Sequence, residues 1–172
     1  MKLANIICDL EKIAPTWLAD ESDRDRIGLQ IGDVCSDVKR VVVAVDPTPS
    51  VVDFAAASNA GLLITHHPLI FTPIRSLAAG GIVQDKIIKL IRSGTALYVM
   101  HTNYDSARGG INDSLADSLG IRVVGNLCAK NRRRFKVVVF TPLESVEHVR
   151  DAMAAAGAGV IGNYSHCSFG VQ

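Results

Sequence analysis

Leu62-Leu63-Ile64-Thr65-His66-His67-Pro68 is an apolar run of strand length that ends in two adjacent histidines and a proline. A second run, Ala96-Leu97-Tyr98-Val99-Met100, ends in His101-Thr102-Asn103-Tyr104-Asp105. Short continuous apolar runs bounded by turn residues fit strands buried within a sheet. In open α/β sheets, ligands bind in the crevice beyond the carboxyl ends of the strands. The two runs therefore predict that three of the chain's five histidines and one carboxylate meet at a single rim.

Working outward, Val41 to Val45 is β-branched and continuous, which predicts a third strand buried on both faces. Thr48-Pro49 then supplies an N-cap and a first helical position, with Gly61 as the stop. Val83, Ile87, Leu90 and Ile91 outline another helix, closed by Gly94. Ile111, Leu115 and Leu119 outline one more, closed by Gly120. Upstream, Ile6, Leu10 and Ile13 predict an amphipathic helix over residues 3–14, stopped before Pro15. Residues 18–39, with Gly28 and Gly32, read as loop and short strand. Strands alternating with helices imply an α/β fold over residues 1–130, a mostly parallel sheet with helices on both faces.

The composition changes at Lys130-Asn131-Arg132-Arg133-Arg134, which reads as a solvated hinge. A strand from Phe135 to Phe140 is expected next. A helix with Val146, Val149, Met153 and Ala156 on one face follows, and then the turn Gly157-Ala158-Gly159. Residues 131–172 thus predict the beginning of a second small α+β domain, too short to bury a core by itself.

Among 172 residues, 48% are apolar and 20% charged, enough for a real core. A formal net charge of +1 offers no broad surface for nucleic acid or membrane. No run approaches the roughly twenty apolar residues of a membrane helix. Cys8, Cys35, Cys128 and Cys167 are widely spaced and form no C-x-x-C, which predicts reduced thiols in a cytoplasmic protein.

Imidazoles with a carboxylate suit Zn²⁺, Mn²⁺ or Fe²⁺ better than Ca²⁺. His66 and His67 would point to opposite faces of a regular strand. They can share a site only if the strand has ended and the backbone turns, as Pro68 suggests. Two histidines and Asp105 would match an open catalytic set that leaves a position for water. His101 is either a further ligand or an orienting group. Thr102 to Ser106 is expected in a loop. His148 reads as a surface residue on a helix, and His166-Cys167 lacks a visible partner to orient a nucleophile.

Gly28-Leu29-Gln30-Ile31-Gly32, Ile64-Thr65-His66-His67-Pro68-Leu69-Ile70-Phe71 and His101-Thr102-Asn103-Tyr104-Asp105 resemble the YbgI-like family. This is also called the GTP cyclohydrolase 1 type 2 homologue family, or the Ngg-one-interacting-factor-three-like family. Gly157 to Tyr164 with Cys167-Ser168-Phe169 resembles the start of the domain inserted in its longer members. The resemblance implies an α/β fold, two divalent metal ions (Zn, Mn or Fe) and a homo-oligomeric ring, commonly a hexamer. By motif, His66 and His67 would bind the two metals, Asp105 would be a further ligand, and His101 would lie at the site. Family members complete the centre with a histidine and a glutamate four residues apart. Here His166 is followed at that spacing by Gly170 and His148 by Ala152, so an incomplete shell and weak metal binding are expected. Asp23-Arg24-Asp25-Arg26-Ile27 replaces the family's W-D-N pattern, a departure expected to affect local packing more than metal binding.

The implied activity is hydrolytic: hydroxide held between two metals attacks an electrophilic carbon of a nucleotide, as in GTP cyclohydrolase chemistry. The rivals are a non-catalytic metal-binding regulatory or interaction protein and a metal-dependent phosphoesterase.

Overall fold

The apolar runs beginning at residues 41, 62 and 96 form the parallel part of a four-stranded sheet. A computed structural model describes residues 1–125, 135–161 and 163–170. The strands are β1 (Gly28–Ile31), β2 (Val41–Ala44), β3 (Leu62–Thr65) and β4 (Ala96–Val99), in the order β1-β4-β3-β2. β2, β3 and β4 are parallel, and β1 adds antiparallel to β4. The register sets Ala44 beside Thr65 and Thr65 beside Val99. The residues that leave these three strands therefore emerge level with one another.

The period-two alternation of a strand divides the core between the two faces of the sheet. Leu63, Leu97 and Val99 pack with Val52 and Ala55 of α2 (Pro49–Ala57) and with Ile87 and Leu90 of α3 (Ile82–Ser93). Leu62, Ala96 and Tyr98 pack on the other face with Leu3 of α1 (Leu3–Ile13). Helices thus cover both faces, as the alternating pattern predicts. The Tyr98 hydroxyl also donates to Glu11 Oε1 at 2.8 Å, fastening α1 to β4, one of the two inner strands. Thr48 caps α2 by accepting from the Val51 amide at 3.3 Å.

Four local expectations are corrected. β2 is an edge strand: Val41, Val43 and Val45 are exposed, Val43 by 74%. A β-branched run reports strand propensity, but burial needs a neighbour, and the cluster around Leu3 reaches Leu62 and Ile64 without including these valines. α2 ends before Asn59, which takes the left-handed turn (φ 52°) assigned above to Gly61. Thr102–Ser106 is a short helix, α4, followed by α5 (Ile111–Ser118). Phe135 to Phe140 is not a strand, and Phe140 is 96% exposed. A strand exists through hydrogen bonds to a neighbour, and no described residue pairs with this segment.

The chain divides into two compact units, residues 1–125 and 126–172. In the second unit the described elements are a 3₁₀ helix (Leu143–Ser145), α6 (Val146–Ala155) and one antiparallel bridge between Ile161 and Tyr164. The helix expected in this unit is present as α6, and the strand expected before it is not among the described elements. Lys130 to Arg134, the boundary expected at 130/131, Cys128 and Gly162 lie outside them. No described helix is long and apolar enough to cross a membrane.

Candidate metal centre

His66 and His67 leave β3 where it stops being a strand. The His66 amide donates to the carbonyls of Ala44 and Val45, at 3.3 and 3.1 Å, and the His67 amide donates to Val45 O at 2.9 Å. The buried Thr65 hydroxyl closes the turn by donating to His67 O at 2.9 Å. The backbone turn demanded by two adjacent histidines is present, and their ring centroids lie 4.9 Å apart.

Gln30 holds the far side of this turn. Its Oε1 accepts from the amides of Leu69 and Ile70 at 3.1 and 3.0 Å, and its Nε2 donates to the carbonyls of Arg26 and Ile70, each at 2.9 Å. The neighbouring Gly32 has φ +128°, and a Cβ there would stand 2.6 Å from Ala96 Cβ.

His101 leaves β4 and starts α4, its carbonyl accepting from the amides of Tyr104 and Asp105 at 2.8 and 3.2 Å. Its ring lies 5.0 Å from that of His66 and 5.6 Å from that of His67, centroid to centroid. The buried Asn103 amide donates to Ala14 O at 2.8 Å, tying α4 to the end of α1. Asp105 lies on α4 with Oδ1 3.8 Å from His66 Nε2. Gly110 closes this segment, where a Cβ would meet Tyr104 O at 2.0 Å.

One nitrogen from each of His66, His67 and His101 lies within 4.8 Å of those from the other two, so this group can hold a metal ion. The hydrogen bonds of the rings bear directly on that fit. His66 Nδ1 lies 3.0 Å from Met100 O, His67 Nδ1 2.6 Å from Asp46 Oδ1, and His101 Nδ1 2.7 Å from Asp23 Oδ2. None of these three oxygen partners can donate when the carboxylates are ionised. Each neutral imidazole must then carry its proton on Nδ1, which leaves the Nε2 lone pair available to a metal.

Asp23, 4% exposed, is the most enclosed of these partners. Its Oδ2 also accepts from the Thr102 hydroxyl at 2.7 Å. Burial pushes the Asp23 carboxyl up, but the Thr102 hydroxyl and the His101 ring outweigh it and hold it below the usual carboxylate range. Beside Asp46, Lys86 Nζ donates to Pro47 O at 2.9 Å. Burial lowers the pKa of this lysine, and the nearby Asp46 charge opposes the shift.

The motifs predict the three histidines that come together; His101, expected as a ligand or an orienting group, is one of that group, whereas Asp105 lies beside His66 but outside it, and Asp23 and Asp46 were missed. Asp46-Pro47 ends the Val41–Val45 run, so a strand-terminating carboxylate at the same rim was the available signal. Asp23 lies 78 positions from His101 and offered none. It belongs to the Asp23–Ile27 segment, expected to affect packing more than metal binding, and its carboxylate reaches His101. His148 and His166 are exposed and lie outside the cluster.

A model of the Duf34/NIF3 (NGG1p interacting factor 3) family matches residues 1–169. A protein of Halalkalibacterium halodurans named GTP cyclohydrolase 1 type 2 homolog is 39% identical over 98% of this chain and 46% of its own length. The Mycobacterium tuberculosis protein of the same name is 41% identical over 99% of this chain and 45% of its own length. The crystal structure of a Bacillus cereus protein related to NIF3 superposes with a TM-score of 0.67 at 37% identity, covering 98% of this chain and 46% of that one. The chain thus spans about half the length of these relatives. With a family match over nearly every residue and the histidine motifs gathered at one rim, the chain belongs to the DUF34/NIF3 family.

Proposed function

We propose that this chain supplies the histidine side of a divalent-metal centre in a hydrolase that acts on a nucleotide. His66, His67 and Asp105 hold the metal, with His101 at the site. Two ions of Zn²⁺, Mn²⁺ or Fe²⁺ complete the reading. The observation that carries it is the convergence of three imidazoles whose Nδ1 atoms each face an oxygen acceptor. When bound, a divalent ion supplies Lewis acidity and hydroxide near neutral pH. The protein's own part is to hold lone pairs toward one space, keep the ring protons on the outer nitrogens and fix the three strand ends.

The names of the relatives favour a cyclohydrolase reaction on a purine nucleotide. A homo-oligomer, the hexameric ring that the family resemblance implies, completes the proposal as its working form. The free thiols of Cys8, Cys35 and Cys167 fit a reducing cytoplasm. The alternative reading is a non-catalytic metal-binding regulatory or interaction role on the same histidine cluster.

Incubation with GTP and Mn²⁺ or Zn²⁺, alongside metal analysis, decides between these roles. Formate release supports the cyclohydrolase reading, and phosphate release supports a phosphoesterase. Stoichiometric metal with neither product supports the binding role. Absence of bound metal overturns the proposal. Sedimentation equilibrium tests the ring, which a monomeric mass would exclude.

A further inference from the structure

The three histidines are not equivalent. His67 and His101 each face a carboxylate through Nδ1, whereas His66 faces a neutral carbonyl. The two carboxylates arrive from unrelated parts of the chain. Asp46 ends the segment leaving β2, and Asp23 lies in a 3₁₀ turn between α1 and β1. Their environments differ as well, since Asp46 is exposed and Asp23 is buried.

From this geometry we infer that Asp46 and Asp23 are positioning residues which lock His67 and His101 in the tautomer with the proton on Nδ1, so that both present Nε2 before any metal arrives. A free imidazole exchanges its proton between two nitrogens. A ring whose Nδ1 faces a fixed acceptor at 2.6 or 2.7 Å loses that bond when the proton moves to Nε2. The bond is charge-assisted, so the preference is stronger than one a neutral acceptor would impose. His66, with a carbonyl partner at 3.0 Å, is held less firmly.

The two locks are also braced differently. Asp23 Oδ2 receives the Thr102 hydroxyl as well as the ring, and Thr102 Oγ1 in turn accepts from the Asp20 amide at 3.1 Å. Both the acceptor and its ring are therefore fixed by α4 and the 3₁₀ turn. Asp46 borders Pro47, whose carbonyl is held by Lys86. This inference rests on the metal-centre reading for its purpose, but the tautomers can be measured without any metal.

The experiment uses the 172-residue chain with ¹⁵N-labelled histidine, stripped of metal and held at mildly alkaline pH. Long-range nitrogen–proton NMR distinguishes a protonated ring nitrogen from a bare one. The expected result is a protonated Nδ1 and a bare Nε2 on His67 and His101. Asp46→Ala should mix the tautomers of His67 alone, and Asp23→Ala those of His101 alone. Each should weaken Zn²⁺ binding, measured by chelator competition, by roughly 10- to 100-fold. Asp46 is exposed, so its variant keeps the test available if Asp23→Ala does not fold. A protonated Nε2 on either ring of the unaltered protein overturns the inference. So does an Asp46→Ala variant with unchanged His67 tautomer or unchanged Zn²⁺ affinity. An unaltered chain that shows the expected tautomers but binds no Zn²⁺ overturns the metal reading and leaves the tautomer lock standing.

Discussion

Replacing Gln30 by methionine keeps most of the side chain's volume and removes its entire hydrogen-bonding role. The carboxamide is fully used: two acceptor bonds from Leu69 and Ile70, and two donor bonds to Arg26 and Ile70. Each bond contributes about 0.5–1.5 kcal/mol net, and a buried group left without a partner costs about 1–3 kcal/mol. Leu69 is buried while Gln30 and Ile70 are half-buried, so water recovers part of the loss. The expected destabilisation is about 2–4 kcal/mol, a large share of a typical domain's 5–15 kcal/mol. Arg26 still braces the same loop, with its Nε donating to Phe71 O at 2.9 Å and its guanidinium 4.1 Å above the Phe71 ring. The loop should therefore loosen rather than unfold. Urea denaturation should show a lower midpoint at an unchanged slope. A loss below about 0.5 kcal/mol, the scale of an ordinary surface substitution, would refute the role assigned to Gln30.

Tyr98→Phe removes the hydroxyl donated to Glu11 and should cost about 1–2 kcal/mol near neutral pH by urea denaturation. Burial and Glu11 raise the Tyr98 pKa, so this group's contribution is fully present below about pH 10 and is lost as pH rises toward the higher folded value. The alkaline decline in stability should be shallower in Tyr98→Phe, and identical declines would contradict the assignment. Leu97→Ala, at a fully buried position, should cost about 2–5 kcal/mol, whereas Val43→Thr on the exposed edge should stay within about 0.5 kcal/mol. Comparable losses in thermal melts of the two would mean that β2 is not an edge. Thr48→Ala removes the α2 cap and should cost about 1 kcal/mol, and an unchanged urea midpoint would show that the bond to Val51 contributes nothing.

Much of the first unit was legible because its signals are local. Thr48-Pro49, Gly94 and the runs at 62 and 96 each act within a few residues of themselves. The histidine cluster was legible for a related reason: parallel strands in register carry their carboxyl ends to one rim. What failed depends on neighbours. Val41 to Val45 and Phe135 to Phe140 both have strand-like composition, yet one lies on an edge and the other has no described partner. A sequence window records whether a segment suits a strand, not whether another strand stands beside it. Asp23 is the extreme case, since its bond to His101 spans 78 positions and has no periodic signature.

The adjacent histidines show how a local rule and a long-range one combine. Alternation along a strand would separate His66 from His67, and the separation is undone by contacts from outside β3. The carbonyls of Ala44 and Val45 receive both histidine amides, so the neighbouring strand sets where the turn begins. Gln30, brought alongside by β1, sets where the chain goes next. Met100 O and Asp46 then select the exposed nitrogen of each ring. A one-residue slip of β2 against β3 would move Asp46 away from His67 and reverse which valines face solvent. The register that buries Leu63 and Leu97 is thus the same one that turns two sequence neighbours toward a common space.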